Sequence, residues 1–202
     1  HLVEYLLTHH PEIALHAGVY NPPGKNPRLD NRPIAQHHLD LRDGDAVRTV
    51  LNEVRPDMIF HLAALADVGR SFDNPWHTLE NNIVAQLNVL TAMQKLELDT
   101  RLLVVSSGEI YGAINLDYPL DENTPFFPNN PYSVSKVAQD MLGLQYYLSH
   151  NLHIVRARPF NHIGPSQAGG FVAADFASQI AEAEVGKRDP VMYVGNLSAE
   201  RD

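Results

Sequence analysis

The chain has 202 residues, a formal net charge of −9 at pH 7 and no cysteine. Its 44% of apolar and 19% of charged residues are typical of a globular protein, and the excess of acidic residues argues against binding to nucleic acid or to an anionic membrane surface. Because the chain without cysteine forms no disulfide bonds and offers no thiolate ligands, we expect a cytoplasmic protein that holds no metal.

Apolar periodicity along the chain indicates helices that alternate with short strands. The predicted elements are a helix over residues 1–7, a strand over 13–19, a helix over 45–54, a strand over 56–64, a helix over 74–96, a strand over 101–106, a helix over 131–149, a strand over 154–157, a helix over 171–185 and a strand over 191–194. Pro-rich loops over residues 20–33 and 118–130 separate some of them. This alternation predicts an α/β, Rossmann-like fold with a doubly wound parallel sheet and right-handed crossovers.

The most informative pattern is a Tyr and a Lys four residues apart at the start of a predicted helix, which Asn130 caps. Tyr132 and Lys136 are about one helical turn apart and project from one face. Because an ammonium beside a phenol favours the phenolate, we expect Lys136 to lower the pKa of Tyr132. The hydroxyl of Ser107, after the preceding strand, would share the Tyr132 proton. Such a group protonates or deprotonates an oxygen whose carbon exchanges a hydride with a nicotinamide, as in a carbonyl reductase or dehydrogenase.

Two segments carry a resemblance to a known family. Residues 104–112 read Val-Val-Ser-Ser-Gly-Glu-Ile-Tyr-Gly, and residues 130–136 read Asn-Pro-Tyr-Ser-Val-Ser-Lys. They resemble the extended short-chain dehydrogenase/reductase family, also called the NAD-dependent epimerase/dehydratase family, whose members modify nucleotide-activated sugars. The catalytic residues that the resemblance implies are Ser107, Glu109, Tyr132 and Lys136.

The same resemblance implies a nicotinamide dinucleotide cofactor. The residues it assigns to cofactor binding are Asp40, Leu41, Leu62, Ala63, Ala64, Asn82, Tyr132 and Lys136. Asp40 would accept a hydrogen bond from the adenine amine, and the small residues after Leu62 would let the backbone pass close beneath the cofactor. An NAD-binding member carries an acidic residue at the end of the second strand, where this chain has Asn21 followed by Lys25 and Arg28. We therefore expect NADP, with NAD as the alternative.

A domain of this kind begins with a strand and a Gly-rich turn that leads into its first helix. The sequence has neither before the predicted helix over residues 1–7, so we interpret the chain as truncated just after that turn. Residues 199–202, Ala-Glu-Arg-Asp, resemble the start of the substrate domain, most of which we expect to be absent. We assign residues 1–202 to a partial dinucleotide-binding domain whose residues 156–202 lead into the substrate-binding region, and expect it to bind NADP(H) poorly by itself.

The resemblance also implies a substrate site. The residues it assigns are Ser107, Asn161, Phe171, Val172 and Arg201. The passage Phe-Asn-His-Ile-Gly-Pro over residues 160–165, with residues 170–172 and 194–197 downstream, is similar to members that act on GDP-linked sugars. Among their reactions we favour reduction by NAD(P)H of the 4-keto group of a nucleotide-activated 4-keto-6-deoxy sugar, GDP-4-keto-6-deoxy-D-mannose, to GDP-D-rhamnose.

Two alternatives stay open. A dehydratase of the GDP-mannose 4,6-dehydratase kind, or an epimerase, abstracts a proton with a base, and Glu109 matches the position of such a carboxylate. In a reductase Glu109 would only orient the sugar, and the Ser-Gly-Glu sequence of residues 107–109 is less typical of dehydratases. Other members of the superfamily bind the dinucleotide without chemistry and act as sensors, although the intact Ser107, Tyr132 and Lys136 favour an enzyme.

Two long predicted helices, over residues 78–96 and 133–149, carry apolar side chains on more than one side. A helix that covers one sheet face needs only a single apolar stripe. The surplus, which includes Val84, Tyr146 and Tyr147, therefore predicts a partner. Two such helix pairs around a twofold axis would form a four-helix interface, as in resembling family members that dimerise, and we expect a homodimer.

Overall fold

The computed structural model describes residues 1–21, 29–112, 119–167 and 169–198, and it divides the chain into two compact units, His1–Arg158 and Pro159–Asp202. In chain order the first unit contains α1 (Leu2–His9), β1 (His16–Val19), β2 (Ala35–His38), α2 (Gly44–Val54), β3 (Met58–His61), α3 (Val68–Asp73), α4 (Pro75–Lys95), β4 (Arg101–Val105), the 3₁₀ turn η1 (Gly108–Tyr111), α5 (Pro131–His150) and β5 (Ile154–Ala157). The second unit contains α6 (Val172–Glu184). Among the described residues, no helix has both the length and the apolar composition that a bilayer span requires.

The strands pair in parallel, as the sequence predicts, and they form two sheets. β1 pairs with β2, and β4 lies between β3 and β5. These groups correspond to positions 3-2 and 4-5-6 of the doubly wound order 3-2-1-4-5-6, and no described strand takes position 1. The α/β class with parallel strands is therefore confirmed, while the single sheet that we predicted is divided at that position.

The main core lies between β4 and the helices α2 and α4. Leu102 and Val104 are two residues apart on β4 and fully buried, as the period of a strand requires. On α4, Leu90 and Met93 are three residues apart and fully buried in the same cluster. The other members of the cluster are Val47, Val89, Ala92, Leu98 and Leu152. This packing fixes β4 against two helices, so the residues that follow its carboxyl end start from a rigid position.

The start of α5 is fixed by its own side chains. Asn130 Oδ1 accepts a hydrogen bond from Ser133 N at 2.7 Å, and Ser133 Oγ accepts one from Asn130 N at 3.2 Å, so the two residues form a capping box. Pro131 lies in the first turn, where a missing N–H costs no helical hydrogen bond. The predicted cap is confirmed, and it sets the backbone directly before Tyr132.

Three parts of the predicted secondary structure differ from the observed one. β2 has the polar sequence Ala-Gln-His-His, which gives no apolar alternation, and it is held by its pairing with β1. α3 is a helix of six residues that starts where Asp67 Oδ1 accepts from Arg70 N at 3.0 Å. The strand predicted over residues 191–194 is wrong. The backbone of Tyr193 is hydrogen-bonded to the Gln179 side chain of α6 and not to any described strand. The Gln179 amide donates to Tyr193 O at 3.0 Å and accepts from Tyr193 N at 2.7 Å.

Candidate active site

Three of the predicted catalytic side chains meet near the carboxyl end of β4. Ser107 lies two residues beyond this strand, while Tyr132 and Lys136 stand one turn apart at the start of α5. Tyr132 is 8% and Lys136 is 5% exposed, and Ser107 lies close enough to Tyr132 for its hydroxyl to act on the pKa of the phenol, which it lowers. The structure thus brings these three residues into one group, which we call the Ser-Tyr-Lys cluster.

The backbone after β4 is shaped to present Ser107. This residue is extended and caps η1, where its hydroxyl accepts a hydrogen bond from Glu109 N at 3.2 Å. The turn ends at Gly112, whose φ of +63° lies in the left-handed region. A Cβ at Gly112 would lie 2.0 Å from Phe127 O, so this close approach of two backbone segments requires glycine. The η1 turn therefore starts at one predicted catalytic residue and contains another, Glu109.

Lys136 reaches from α5 to the sheet. Its ammonium donates to Val105 O at 2.9 Å, and Nζ is 5.9 Å from the centre of the Tyr132 ring. Burial lowers the pKa of Lys136 to about 8. His61, at the end of the neighbouring strand β3, is 5% exposed, and burial together with the charge of Lys136 lowers the pKa of His61 to about 4. A neutral imidazole therefore lies within electrostatic reach of a lysine that titrates close to physiological pH.

The expected lowering of the Tyr132 pKa is wrong for this structure. Burial raises the pKa of Tyr132, the negative charge of Glu109 adds to the rise, and the hydrogen bond with Ser107 acts in the opposite direction. Lys136 does not reverse the shift, because its ammonium is directed to Val105 O and is itself destabilised by burial. The cluster therefore holds a protonated phenol, which is the form that gives a proton to a developing alkoxide.

The residues predicted to pass beneath a cofactor lie at the carboxyl end of β3, beside the end of β4. Leu62 is 59% exposed, Ala63 is exposed and Ala64 is half-buried. Ligands of parallel sheets bind outside the carboxyl ends of the strands, and small side chains leave the backbone there accessible. The hydroxyl and ammonium groups of the Ser-Tyr-Lys cluster suit the hydroxyls of a ribose. This set of residues fits a nicotinamide ribose, whose binding here stays a prediction.

Asn82 is fully buried and fixes the chain after Ala64. Its Oδ1 accepts from Leu65 N at 2.7 Å, and its Nδ2 donates to Leu65 O at 3.1 Å and to Ser135 Oγ at 2.9 Å. One amide therefore ties together α4, α5 and the loop that follows β3. A direct contact between Asn82 and the cofactor stays a prediction, while the observed contacts assign its amide to the backbone of that loop.

Asp40 and Leu41, which we predicted to flank the adenine, lie between β2 and α2. Arg42 donates to the Asp40 carboxylate through Nη2 at 2.6 Å and Nε at 3.0 Å, and these hydrogen bonds lower the pKa of Asp40. Leu41 packs against the core, and its carbonyl oxygen accepts from Asn88 Nδ2 at 2.8 Å. The adenine contact stays a prediction, in which the Asp40 carboxylate would accept hydrogen bonds from both the adenine amine and Arg42.

The predicted substrate residues Asn161, Phe171 and Val172 lie in the second unit. All three are exposed, Phe171 at 49% and Val172 at 65%, and Phe171 directly precedes α6. The predicted functional residues that lie outside the described part of the chain are Lys25, Arg28 and Arg201. The substrate-binding roles and the sequence argument for NADP over NAD therefore stay predictions.

A polar residue of α5, Asp140, belongs to a buried network of hydrogen bonds that we did not predict. Asp140, four residues beyond Lys136, has a fully buried carboxylate that accepts from Arg158 Nε at 2.9 Å and Nη2 at 3.1 Å. Arg158 Nη1 also donates to the Tyr111 hydroxyl at 3.0 Å. The signal for Asp140 is its position one further turn along the face that carries Tyr132 and Lys136.

The whole chain, residues 1–202, matches the family model described as GDP-mannose 4,6 dehydratase. The chain therefore belongs to this family, and the resemblance to the extended short-chain dehydrogenases/reductases is confirmed. The parallel α/β fold and the Ser-Tyr-Lys cluster agree with this membership.

The relatives of the chain include enzymes with two different reactions. GDP-6-deoxy-D-mannose reductase of Pseudomonas aeruginosa is 36% identical over 167 residues, which cover 82% of this chain and 55% of the relative. GDP-mannose 4,6-dehydratase of Vibrio cholerae is 31% identical over 180 residues, which cover 88% of this chain and 48% of the relative. The solved structure of RMD from Pseudomonas aeruginosa complexed with NADPH has a TM-score of 0.77 at 35% identity, over 88% of this chain and 62% of its own. The chain thus spans about half the length of the curated relatives it matches.

Proposed function

We propose that this chain is the dinucleotide-binding part of an enzyme that reduces the 4-keto group of GDP-4-keto-6-deoxy-D-mannose with NADPH and forms GDP-D-rhamnose. The observation that carries the proposal is the grouping of Ser107, two residues beyond β4, with the buried side chains of Tyr132 and Lys136 at the start of α5. A relative at 36% identity is a GDP-6-deoxy-D-mannose reductase, and a structural neighbour at 35% identity is a complex with NADPH. Both support the reductase and NADP, with NAD as the alternative cofactor.

The Ser-Tyr-Lys cluster has the groups that a carbonyl reduction needs. A reduced nicotinamide supplies a hydride to the carbonyl carbon when it is bound. Tyr132 gives its proton to the carbonyl oxygen as negative charge develops there, so that C=O becomes CH–OH. The Ser107 hydroxyl favours the phenolate that remains, since it lowers the pKa of Tyr132, while Lys136 holds the start of α5 to β4 through Val105 O.

In this proposal the chain binds the cofactor along the carboxyl ends of its strands. Residues 62–64 would run beneath it, Lys136 would hold the nicotinamide ribose, and Asp40 and Leu41 would flank the adenine. The amide of Asn82 fixes the loop after residues 62–64 from the helix side. Asn161, Phe171, Val172 and Arg201 would serve the sugar nucleotide, in a region formed by residues 156–202.

The test uses the protein expressed from its complete gene, because the chain spans about half the length of its curated relatives. With GDP-4-keto-6-deoxy-D-mannose and NADPH, the nicotinamide absorbance should fall at a rate proportional to enzyme concentration. Replacement of NADPH by NADH measures the cofactor preference in the same assay. Constant absorbance with the folded wild-type protein and either cofactor would contradict the proposal.

A second candidate function is that of a GDP-mannose 4,6-dehydratase. The charge of Glu109 raises the pKa of Tyr132, so this carboxylate lies near the reacting groups, where a dehydratase needs a base. A relative at 31% identity carries that activity in its name. Incubation with GDP-mannose and NADP separates the two functions, because a dehydratase forms the keto-sugar and the proposed reductase leaves GDP-mannose unchanged. Glu109→Gln should abolish a dehydratase but change mainly the KM for the sugar in a reductase.

We further propose that the complete protein is a homodimer through α4 and α5. Val134, Met141 and Leu148 recur every seven residues on α5 and form one stripe, in which Val134 is 43% and Leu148 is 66% exposed. An exposed apolar stripe on a long helix suits the same stripe of a second copy around a twofold axis. Light scattering at micromolar concentration should give the mass of a dimer, and Leu148→Glu should give a monomer. A monomer mass for the wild-type protein would contradict this arrangement.

A cytoplasmic location for the complete protein is part of the same proposal. The chain contains no cysteine, as expected where disulfide bonds do not contribute to folding. The proposed reductant, NADPH, is a cytoplasmic metabolite. Cell fractionation with an antibody against the chain checks the location, and recovery outside the cytoplasm would contradict it.

A further inference from the structure

The carboxylate of Asp140 is buried between two arginines of the β5 segment. Arg156 Nη1 donates to Asp140 Oδ1, while Arg158 donates to Oδ2 through Nε at 2.9 Å and to Oδ1 through Nη2 at 3.1 Å. The carboxylate itself is 0% exposed. A buried charge is stable only when it is both paired and hydrogen-bonded, and this one has three donors from two guanidinium groups. The network therefore anchors α5 firmly to the segment that contains β5.

Arg158 has contacts that Arg156 lacks among the described hydrogen bonds. Its Nη1 donates to the Tyr111 hydroxyl at 3.0 Å and to Glu122 O at 2.8 Å. The guanidinium lies 4.8 Å from the centre of the Phe126 ring and 5.8 Å from that of Tyr111. Hydrogen bonding to Asp140 raises the pKa of Arg158 further above its usual value, so its charge is permanent. One side chain thus joins α5, η1 and the segment that follows residue 118.

These contacts connect the two elements that share the proposed chemistry. Tyr111 is the last residue of η1, the turn that Ser107 caps and that contains Glu109. Asp140 lies one turn beyond Lys136 on the helix that also carries Tyr132. Ser107 caps η1 and Tyr132 belongs to α5, so the influence of the Ser107 hydroxyl on the Tyr132 phenol acts across these two elements. The contacts of Arg158 with Asp140 and with Tyr111 join the same two elements, η1 and α5, at a second place.

We propose that Arg158, held by Asp140, is a positioning residue that fixes η1 against α5 and so sets the position of the Ser107 hydroxyl relative to the Tyr132 phenol. The kinetic consequence rests on the proposed reductase function, whereas the structural consequence does not. Arg156 offers a matched control, because it binds the same carboxylate but none of its described hydrogen bonds reaches η1. Tyr111→Phe removes the hydrogen bond from Arg158 to η1 and keeps both the aromatic ring and the buried ion pair.

Hydrogen exchange on the protein expressed from its complete gene tests the structural part. In wild type the amides of Ile110 and Gly112 are hydrogen-bonded within η1 and report its stability. We expect them to exchange about tenfold faster in Arg158→Lys, and severalfold faster in Tyr111→Phe, whereas Arg156→Lys keeps the wild-type rates. Unchanged η1 protection in both test variants, or an equal loss in Arg156→Lys, would overturn the inference. Tyr111→Phe decides the matter if Arg158→Lys does not fold.

Steady-state kinetics test the functional part. We expect Arg158→Lys and Tyr111→Phe to lower kcat about tenfold with the KM for NADPH unchanged, since proton transfer depends on alignment. The Ser107 hydrogen bond lowers the pKa of Tyr132, so its loss should move the alkaline limb of the kcat profile to higher pH. A merely structural role would instead lower the amount of active enzyme equally in Arg158→Lys and Arg156→Lys, without a shift of the profile. If the wild-type protein reduces no keto-sugar, the proposed function fails and hydrogen exchange alone decides the positioning role.

Discussion

The Lys136 ammonium donates a hydrogen bond to the carbonyl oxygen of Val105 at 2.9 Å, so the helix that carries Tyr132 is tied to the strand that leads to Ser107. The same lysine is 5% exposed, and burial lowers its pKa to about 8. A buried ammonium with few acceptors gains from additional ones, such as ribose hydroxyls. Lys136 therefore has two parts in the proposed enzyme, since it joins two elements of the site and offers a donor to the cofactor.

Lys136→Met should weaken NADPH binding about tenfold or more, because a hydrogen bond from a charged donor is lost. The affinity of the wild-type protein should fall as the pH rises through about 8, where the free Lys136 loses its proton, whereas that of the variant should stay constant. Fluorescence titration of NADPH from pH 7 to 9 checks both statements. Lys95→Met, at the exposed end of α4, is the control. Equal affinities for wild type and Lys136→Met would remove Lys136 from the cofactor site.

Tyr132→Phe should lower kcat by about 10² to 10⁴ with little change in either KM, because it removes the proton donor and keeps the ring. The control is Tyr147→Phe on the same helix, where the residue is 54% exposed. Steady-state kinetics with the keto-sugar and NADPH give both constants. Normal turnover in Tyr132→Phe would show that another group supplies the proton.

His61 should make the protein sensitive to mild acid. Its pKa falls from 6.5 in the unfolded chain to about 4 in the folded one, so the unfolded chain binds the additional proton between these values. Stability from this residue is therefore present above pH 6.5 and is lost as the pH falls toward 4, by up to about 3 kcal/mol. Urea unfolding between pH 7 and 4 should show a smaller loss in His61→Gln, which does not titrate. The same loss in both proteins would contradict the assignment.

Asn82→Ala should lower the free energy of unfolding by about 1–3 kcal/mol, because Leu65 N and O and the Ser135 hydroxyl lose a buried partner. The freed loop lies directly after residues 62–64, so we also expect a higher KM for NADPH. Urea unfolding and steady-state kinetics measure the two effects. Asn81→Ala, next in the chain and half-buried, should change both quantities far less.

The elements that the sequence predicted best are the ones whose signals are local. Helices over residues 74–96 and 131–149 were expected and are observed as Pro75–Lys95 and Pro131–His150, because each has an Asn cap, a Pro in its first turn and a long apolar period. The strand over residues 154–157 is observed with those bounds. β2 has no such signal, since a polar strand is defined by the neighbour with which it pairs.

The grouping of Ser107, Tyr132 and Lys136 was predictable from the sequence, but its electrostatics were not. The spacing of Tyr132 and Lys136 brought both side chains to one face, and the strand before Ser107 brought the hydroxyl to them. The direction in which the Tyr132 pKa shifts depends on burial and on the orientation of the Lys136 ammonium. Neither can be read from the spacing of the two residues along the chain. The partner of Asp140 is likewise a residue 18 positions away, which only the fold brings into contact.

The proposed reduction of the 4-keto sugar is tested most directly by an experiment that follows the transferred hydride. The protein expressed from its complete gene is incubated with GDP-4-keto-6-deoxy-D-mannose and NADPH that is deuterated at the transferred position of the nicotinamide. We expect GDP-D-rhamnose with one deuterium bonded to C4 of the sugar, as read by NMR. A sugar product without deuterium at C4, or no product from the folded wild-type protein, would contradict the assignment of this chain to a 4-keto-sugar reductase.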